Sequence, residues 1–243
     1  DSVCRLSLGL FSALLDKEME PYSSTLADKV ESLARVATFH DLGKVVEFYA
    51  LLWSPYQYTE AEQNLMAEHA EKSAYFLAQM PAFALWNDAV RWHHVDFGDN
   101  RSGYPSLEAV QTRRPGKSID EIDVDPCILM SRILRVADSA SAIADVRPYR
   151  KGGNLEDILV AFQHDQSQYC STNSGSDQEV CLGCSWSVRV AQRCPKRYDP
   201  RLIKLLIEDE QVWGRWWAIV DRHRREKQAV YKGPRWPLSD SGN

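Results

Sequence analysis

What the chain lacks narrows it first. No uncharged apolar run approaches the length of a bilayer span, which excludes a transmembrane helix. There is no basic excess: 29 Lys and Arg stand against 34 Asp and Glu, a formal net charge of −5. That balance does not point to a general nucleic-acid binder. Apolar residues are not in short supply either. At 44% hydrophobic and 26% charged, the 243 residues have ordinary globular usage, so wholesale disorder is excluded. Such a length suffices for one large domain or two small ones with a real core. No Met precedes Asp1 and no basic, apolar, small-residue leader follows it. The expectation is therefore a piece of a cytoplasmic protein, with a flanking domain beyond it. Internal repeats and sustained period-two alternation are missing too, and the expected fold is all-α.

What is present is mostly helical pattern. Leu6, Leu8, Leu10, Phe11, Leu14 and Leu15 recur with helical spacing over 3–15. Thr25-Leu-Ala-Asp28 reads as a capping box opening a helix through Leu33, Val36, Ala37 and His40, which Gly43 then ends. Thr59-Glu-Ala-Glu62 caps another helix, with Leu65, His69, Ser73 and Phe76 on one face. A third runs from about Phe83 to His94. Residues 95–126 are rich in Gly, Pro, Asp and Arg and read as a long loop. Helix resumes near Cys127, passes Asp138, stops before Pro148, and returns at Arg201. There Trp213, Trp216 and Trp217 precede Arg222-His223-Arg224-Arg225-Glu226-Lys227. An amphipathic helix with a packed Trp face and a solvated basic face explains that pattern better than nucleic-acid stacking.

Six cysteines divide into two groups. Cys4 and Cys127 stand alone in apolar helical patterns, as small buried hydrophobes do. Cys170, Cys181, Cys184 and Cys194 cluster in a stretch dominated by Gln, Ser, Asn and Gly. Four thiolates there would make a tetrahedral structural zinc site. Two disulfides, or thiols without partners, are the alternatives.

The residues that carry chemistry are His40-Asp41, His69, His93-His94 and Asp138. His69 and Asp138 fall on apolar helix faces, and the other pairs fall at helix ends. Burying so many titratable groups without partners is expensive, and a metal centre resolves it. A single core histidine would need no such explanation; the whole set does.

His40-Asp41-Leu42-Gly43-Lys44 resembles the signature of the HD superfamily of metal-dependent phosphohydrolases. Thr59-Glu-Ala-Glu62 followed by Met66 and His69 is similar to a segment of its HD-GYP branch, the bacterial cyclic di-GMP phosphodiesterases. So are Gly103-Tyr104-Pro105 after the double histidine, Val136-Ala137-Asp138 with Arg147-Pro148-Tyr149-Arg150, and Tyr198-Asp199-Pro200. The resemblance covers roughly residues 1–210. It implies an HD-domain helical bundle around a buried metal site, with a Cys-rich insertion. On that division, 1–164 is the helical core and 165–199 the insertion or a small zinc knuckle. Residues 200–230 are helices that complete the domain, and 231–243 are a tail.

The resemblance further implies two divalent metal ions. His40, Asp41 and Asp138 hold one; Asp41, His69, His93 and His94 hold the other, with Asp41 bridging. Iron or manganese suits the mixed set, and zinc is compatible. Such a centre makes hydroxide near neutral pH and hydrolyses a cyclic dinucleotide, cyclic di-GMP by the family link. Lys44 and Arg147 are the phosphate contacts it implies, and Tyr104 is a candidate substrate contact. The plainer alternatives are a solvated helix-end cation for Lys44 and loop packing for Tyr104. A diguanylate cyclase or a flanking regulatory domain is the implied partner.

The departures from the branch are specific. Val95 stands where Glu usually follows the double histidine, and Asp96 to Ser102 lengthen the loop. Ser54-Pro55-Tyr56 replaces Lys-Pro-Gly, and an upstream histidine is absent, with Asp1 a candidate oxygen ligand in its place. These favour a second reading, a regulatory module that binds without turnover. A third is another HD chemistry, a nucleotidase or a di-iron oxygenase.

Overall fold

The leucine spacing at the start of the chain forms α1 (Ser2–Asp16), which buries Leu6, Leu10, Phe11 and Leu14. The computed structural model describes residues 2–52, 54, 56–97, 104–145, 152–166 and 197–230. Among them there is helix and no strand, the all-α class expected from the sequence. After α1 come α2 (Tyr22–Leu26), α3 (Val30–Phe39), α4 (Leu42–Glu47) and α5 (Tyr49–Leu52). Next are α6 (Glu60–Ala67), α7 (His69–Ala78) and, beyond a 3-10 turn at Pro81–Phe83, α8 (Asn87–Arg91). Then follow α9 (Leu107–Thr112), α10 (Ile119–Asp123), α11 (Pro126–Ala144) and α12 (Leu155–Gln166). The series closes with α13 (Pro200–Glu208) and α14 (Glu210–Val230).

The core is organised around α11. Its start is fixed twice over: Pro126 occupies the first turn, and the Asp125 carboxylate accepts the N–H of Cys127 at 2.9 Å. Ile128, Leu129, Met130, Ile133, Leu134, Val136 and Ala137 are buried around nearly its whole circumference, as a central helix requires. It touches α1, α8, α12, α13 and α14. Trp216 is buried on α14, and its Nε1–H donates to the Leu6 carbonyl at 2.9 Å, tying the last helix to the first. The Trp face of that segment therefore packs as expected, whereas its basic face is only partly solvated: Arg222 and Arg225 are exposed, but His223 and Lys227 are half-buried against Asp145. Cys127 is buried and Cys4 half-buried; both are free thiols. No helix among the described residues is long and apolar enough to cross a membrane.

Several local expectations are corrected. The Thr25 capping box does not form, because Tyr22 and Leu26 are both fully buried and pull that segment into its own short helix. α3 begins after Lys29 without a side-chain cap. Gly43 ends no helix; it lies within α4. The Thr59 box does form, reciprocally with Glu62, but its helix breaks at Glu68 into α6 and α7. The stretch expected as a loop over 95–126 contains α9 and α10, capped by Ser106 and by a Ser118–Glu121 box. The cysteine cluster at 170–194, the Arg147 segment, Asp1 and the 231–243 tail lie outside the described residues.

Candidate metal centre

Helix junctions supply most of the site. His40 closes α3 and Asp41 opens α4. His69 begins α7, and His93 with His94 follows the last turn of α8. Asp138 alone comes from a helix interior, that of α11. Gly43 lets these elements meet: its N–H donates to Ser73 Oγ of α7 at 2.8 Å. An added Cβ would stand 2.4 Å from the His69 carbonyl oxygen.

The six residues singled out in the sequence converge. His40 Nε2 lies 3.5 Å from Asp41 Oδ2 and 3.6 Å from Asp138 Oδ1. Asp41 Oδ1 lies 3.1 Å from His69 Nε2 and 3.8 Å from His93 Nε2. His69 Nε2 is 3.2 Å from the Nε2 atoms of both His93 and His94. Two sets of donor atoms are close enough to hold a cation: His69, His93 and His94, and His40, Asp41 and His93. The histidines are buried, whereas the Asp41 side chain is 34% exposed and marks the mouth.

The donor chemistry fits a cation. The Nδ1 atoms of His40, His69 and His93 face the carbonyls of Ala37, Met66 and Val90 at 2.8, 2.6 and 2.5 Å. A carbonyl only accepts, so each of these rings carries its hydrogen on Nδ1 and a lone pair on Nε2. The lone pairs of His69 and His93 then face one another at 3.2 Å. Neutral imidazoles repel in that geometry, and a positive ion between them removes the repulsion. Buried His40 Nε2 and Asp41 Oδ1 also lack a hydrogen-bond partner. The residues present therefore fit a metal.

Electrostatics agree. Burial pushes His93 well below an ordinary imidazole, with the neighbouring His40 and His69 adding to the effect. Burial likewise lowers His94, beside His93 and Arg135. Burial alone would raise Asp41, but His40 and Lys44 hold it well below the usual carboxylate range. Lys44 Nζ donates to Asp41 Oδ2 at 2.7 Å. Tyr104 stacks on His94, ring centroids 4.6 Å apart, and its N–H donates to the His94 carbonyl at 3.2 Å. Burial drives the Tyr104 hydroxyl to about 12.

Two curated proteins of Vibrio cholerae are similar to this chain. One is the 3'3'-cGAMP-specific phosphodiesterase 3, 29% identical over 133 residues, which are 55% of this chain and 25% of that protein. The other is the 3'3'-cGAMP-specific phosphodiesterase 1, 28% identical over 128 residues, 53% of this chain and 26% of that protein. The resemblance to the HD-GYP branch holds. This chain spans about a quarter of the length of these relatives. No protein-family profile matches it. Of the HD-GYP positions, Tyr104 is described, whereas Gly103 and Arg147 lie outside the described residues.

Sequence reasoning passed over two residues at this HD-GYP-like site. Arg135, three residues before Asp138 on α11, places a guanidinium nitrogen against His94 Nδ1. A second nitrogen donates to Asp96 Oδ1 at 3.0 Å. The available signal was a charged residue on the same helical face as Asp138.

Proposed function

We propose that this chain carries a metal-dependent phosphodiesterase that hydrolyses a cyclic dinucleotide. The observation that carries the reading is the convergence of buried histidines and two carboxylates with lone pairs facing lone pairs, next to the partly exposed Lys44. The names of the two relatives support the same substrate class.

In this reading His40, Asp41 and Asp138 hold one divalent ion, and Asp41, His69, His93 and His94 hold a second. Iron and manganese suit the mixed nitrogen and oxygen donors, as does zinc. When bound, such ions lower the pKa of water and neutralise a phosphodiester. The protein's own residues do the rest. The carbonyls of Ala37, Met66 and Val90 hold three imidazoles in the ligating tautomer. Lys44 offers its ammonium to a non-bridging phosphoryl oxygen. Cyclic di-GMP is favoured by the order of motifs, and 3'3'-cGAMP by the names of the relatives. Both present the same pair of 3'–5' phosphodiesters to one hydrolytic centre.

The test is anaerobic purification, metal analysis, and incubation of each dinucleotide with manganese or ferrous iron, with products separated by chromatography. Metal-dependent linear dinucleotide is the expected product. A metal-loaded chain that leaves both substrates intact refutes the reading in favour of a binding module. Asp41→Ala is expected to abolish both metal uptake and turnover, because its two oxygens face His40 and His69 separately. Full metal content in that variant would defeat the shared-ligand scheme.

A further inference from the structure

The loop that leaves the histidine doublet is held fast at its first residues. Relative to the branch it resembles, this chain lengthens the loop from Asp96 to Ser102, and a longer loop costs more entropy to close. Asp96, whose side chain is 1% exposed, accepts from Arg135 of α11 at 3.0 Å. The Phe97 ring lies against the Arg132 guanidinium of the same helix, 4.6 Å from the ring centroid, with that of Arg201 from α13 at 5.9 Å. The Phe97 N–H donates to the Arg197 carbonyl at 3.3 Å. That carbonyl belongs to the peptide unit whose N–H, on Tyr198, donates to Asp165 Oδ2 at 3.2 Å. The other oxygen of Asp165 accepts the Arg197 N–H at 2.9 Å. One peptide group is thus gripped at both edges, in a relay from carboxylate through N–H and C=O to the Phe97 N–H, where each bond polarises the next. Asp165, in the last turn of α12, is 6% exposed. A buried carboxylate is costly, and the hydrolytic scheme has no use for this one.

We propose that Asp165 and Phe97 are positioning residues for the metal centre: they moor the loop after His94 and, through it, the helix end that presents His93 and His94 to a metal. Little slack lies between mooring and ligand. Phe97 follows His94 by three residues, and the Val95 N–H between them closes a turn on the Trp92 carbonyl at 2.8 Å. The residue types fit the task. N–H groups on successive residues need two acceptor oxygens, which a carboxylate has and an amide side chain lacks. A guanidinium is attracted to the face of an aromatic ring, and an aliphatic side chain offers it no such face. Both residues act through backbone and loop rather than on the reacting atoms. The consequence for metal affinity rests on the metal-dependent reading; the mooring itself does not.

Hydrogen exchange resolved at single amides of the metal-free full chain reads the mooring directly. In the wild type the Phe97 amide is expected to exchange at least about 10-fold more slowly than an unstructured one, although the residue is half-buried only. Asp165→Asn, the same shape with one acceptor fewer, should speed exchange at Phe97 by about 3- to 10-fold while the amides of α1 keep wild-type protection. Manganese affinity should fall about 3- to 10-fold in Asp165→Asn and in Phe97→Leu, less than the loss of a ligand's direct partner brings. Phe97→Tyr, which keeps a ring against Arg132, should stay within about twofold of wild type. An unprotected Phe97 amide in the wild type overturns the proposal, and that measurement needs no variant to fold. A purely structural role would lower protection in α1 as well and leave the manganese affinity of folded Asp165→Asn at the wild-type value; that result overturns it too. So does a Phe97→Leu affinity equal to that of Phe97→Tyr. If the wild type takes up no manganese, the metal-dependent reading fails and takes the affinity half of the proposal with it. Exchange at Phe97 still upholds or overturns the mooring on its own.

Discussion

Replacing Gly43 with Ala is a sharp test of how the site is assembled. A Cβ at this position would lie 2.4 Å from the His69 carbonyl oxygen, 2.8 Å from the Ser73 nitrogen and 3.0 Å from Lys72 Cβ. Real Cβ contacts essentially never fall under 3.0 Å, and two of these three atoms are backbone, which cannot rotate aside. α4 must therefore retreat from α7 by up to about 1 Å, an overpacking penalty of about 1–3 kcal/mol. The same retreat stretches the bond from the Gly43 N–H to Ser73 Oγ, worth about 1 kcal/mol. Together these give a loss of about 2–4 kcal/mol in urea unfolding of the metal-free protein. Helix propensity alone would stabilise the variant by about 1 kcal/mol, so the two explanations differ in sign. The chemical consequence is larger. Asp41 precedes the glycine by two residues and faces His69 at 3.1 Å, so the retreat opens that gap. Manganese affinity should fall about 10- to 100-fold, as when support around a ligand is lost. A variant with wild-type unfolding and wild-type manganese affinity would show that the close approach does not position the site.

Two further outcomes follow from buried charge. Asp199 is buried, accepts the Tyr22 hydroxyl at 2.7 Å and the Arg201 Nε–H at 2.9 Å, and caps α13 through the Arg201 backbone N–H. Asp199→Ala strands these donors and should cost about 3–5 kcal/mol in urea unfolding; a change under about 1 kcal/mol refutes that account. The second outcome concerns acid. His93 and His94 titrate well below the ordinary 6.5 because of burial, so below that pH the unfolded chain takes up protons first. Each then removes stability from the metal-free protein by about 1.4 kcal/mol per pH unit as pH falls below 6.5. His40, raised by Asp41 and Asp138 against its burial, has its contribution fully present below 6.5 and lost only as pH rises above it, so it adds no slope in this window and the slopes of His93 and His94 stand uncompensated. Unfolding free energy that stays flat between pH 6.5 and 5, measured by denaturant titration, contradicts it.

Class and ligand candidates were readable because both are written locally. Leucine spacing in α1 and the Thr59 box state helix directly, and the histidine and aspartate motifs carry a specific resemblance. Long-range packing was not readable. Nothing near Thr25 announces that Tyr22 and Leu26 will be drawn into the core and displace its cap. Gly43 looks like a helix terminator in sequence, and only the approach of α7 reveals the demand for a bare Cα. The Arg135 contacts to His94 and Asp96 span 41 and 39 positions, so no local pattern encodes them. The Ser118–Glu121 box, by contrast, was present in the sequence and marks α10 within what reads as a loop.

The placement of the ligands at helix junctions has a common cause. The carbonyls of the last helical turn have no intrahelical donor. His40, His69 and His93 each aim Nδ1 at the carbonyl three residues earlier, Ala37 in α3, Met66 in α6 and Val90 in α8. Each such bond adds an imidazole donor to a helix-end carbonyl and fixes the tautomer that leaves Nε2 open for a metal. Asp138 escapes this constraint, because a carboxylate has no tautomer to select, and it sits deep within α11. For His94 the carbonyl three residues earlier is that of Arg91, and its Nδ1 instead faces Arg135.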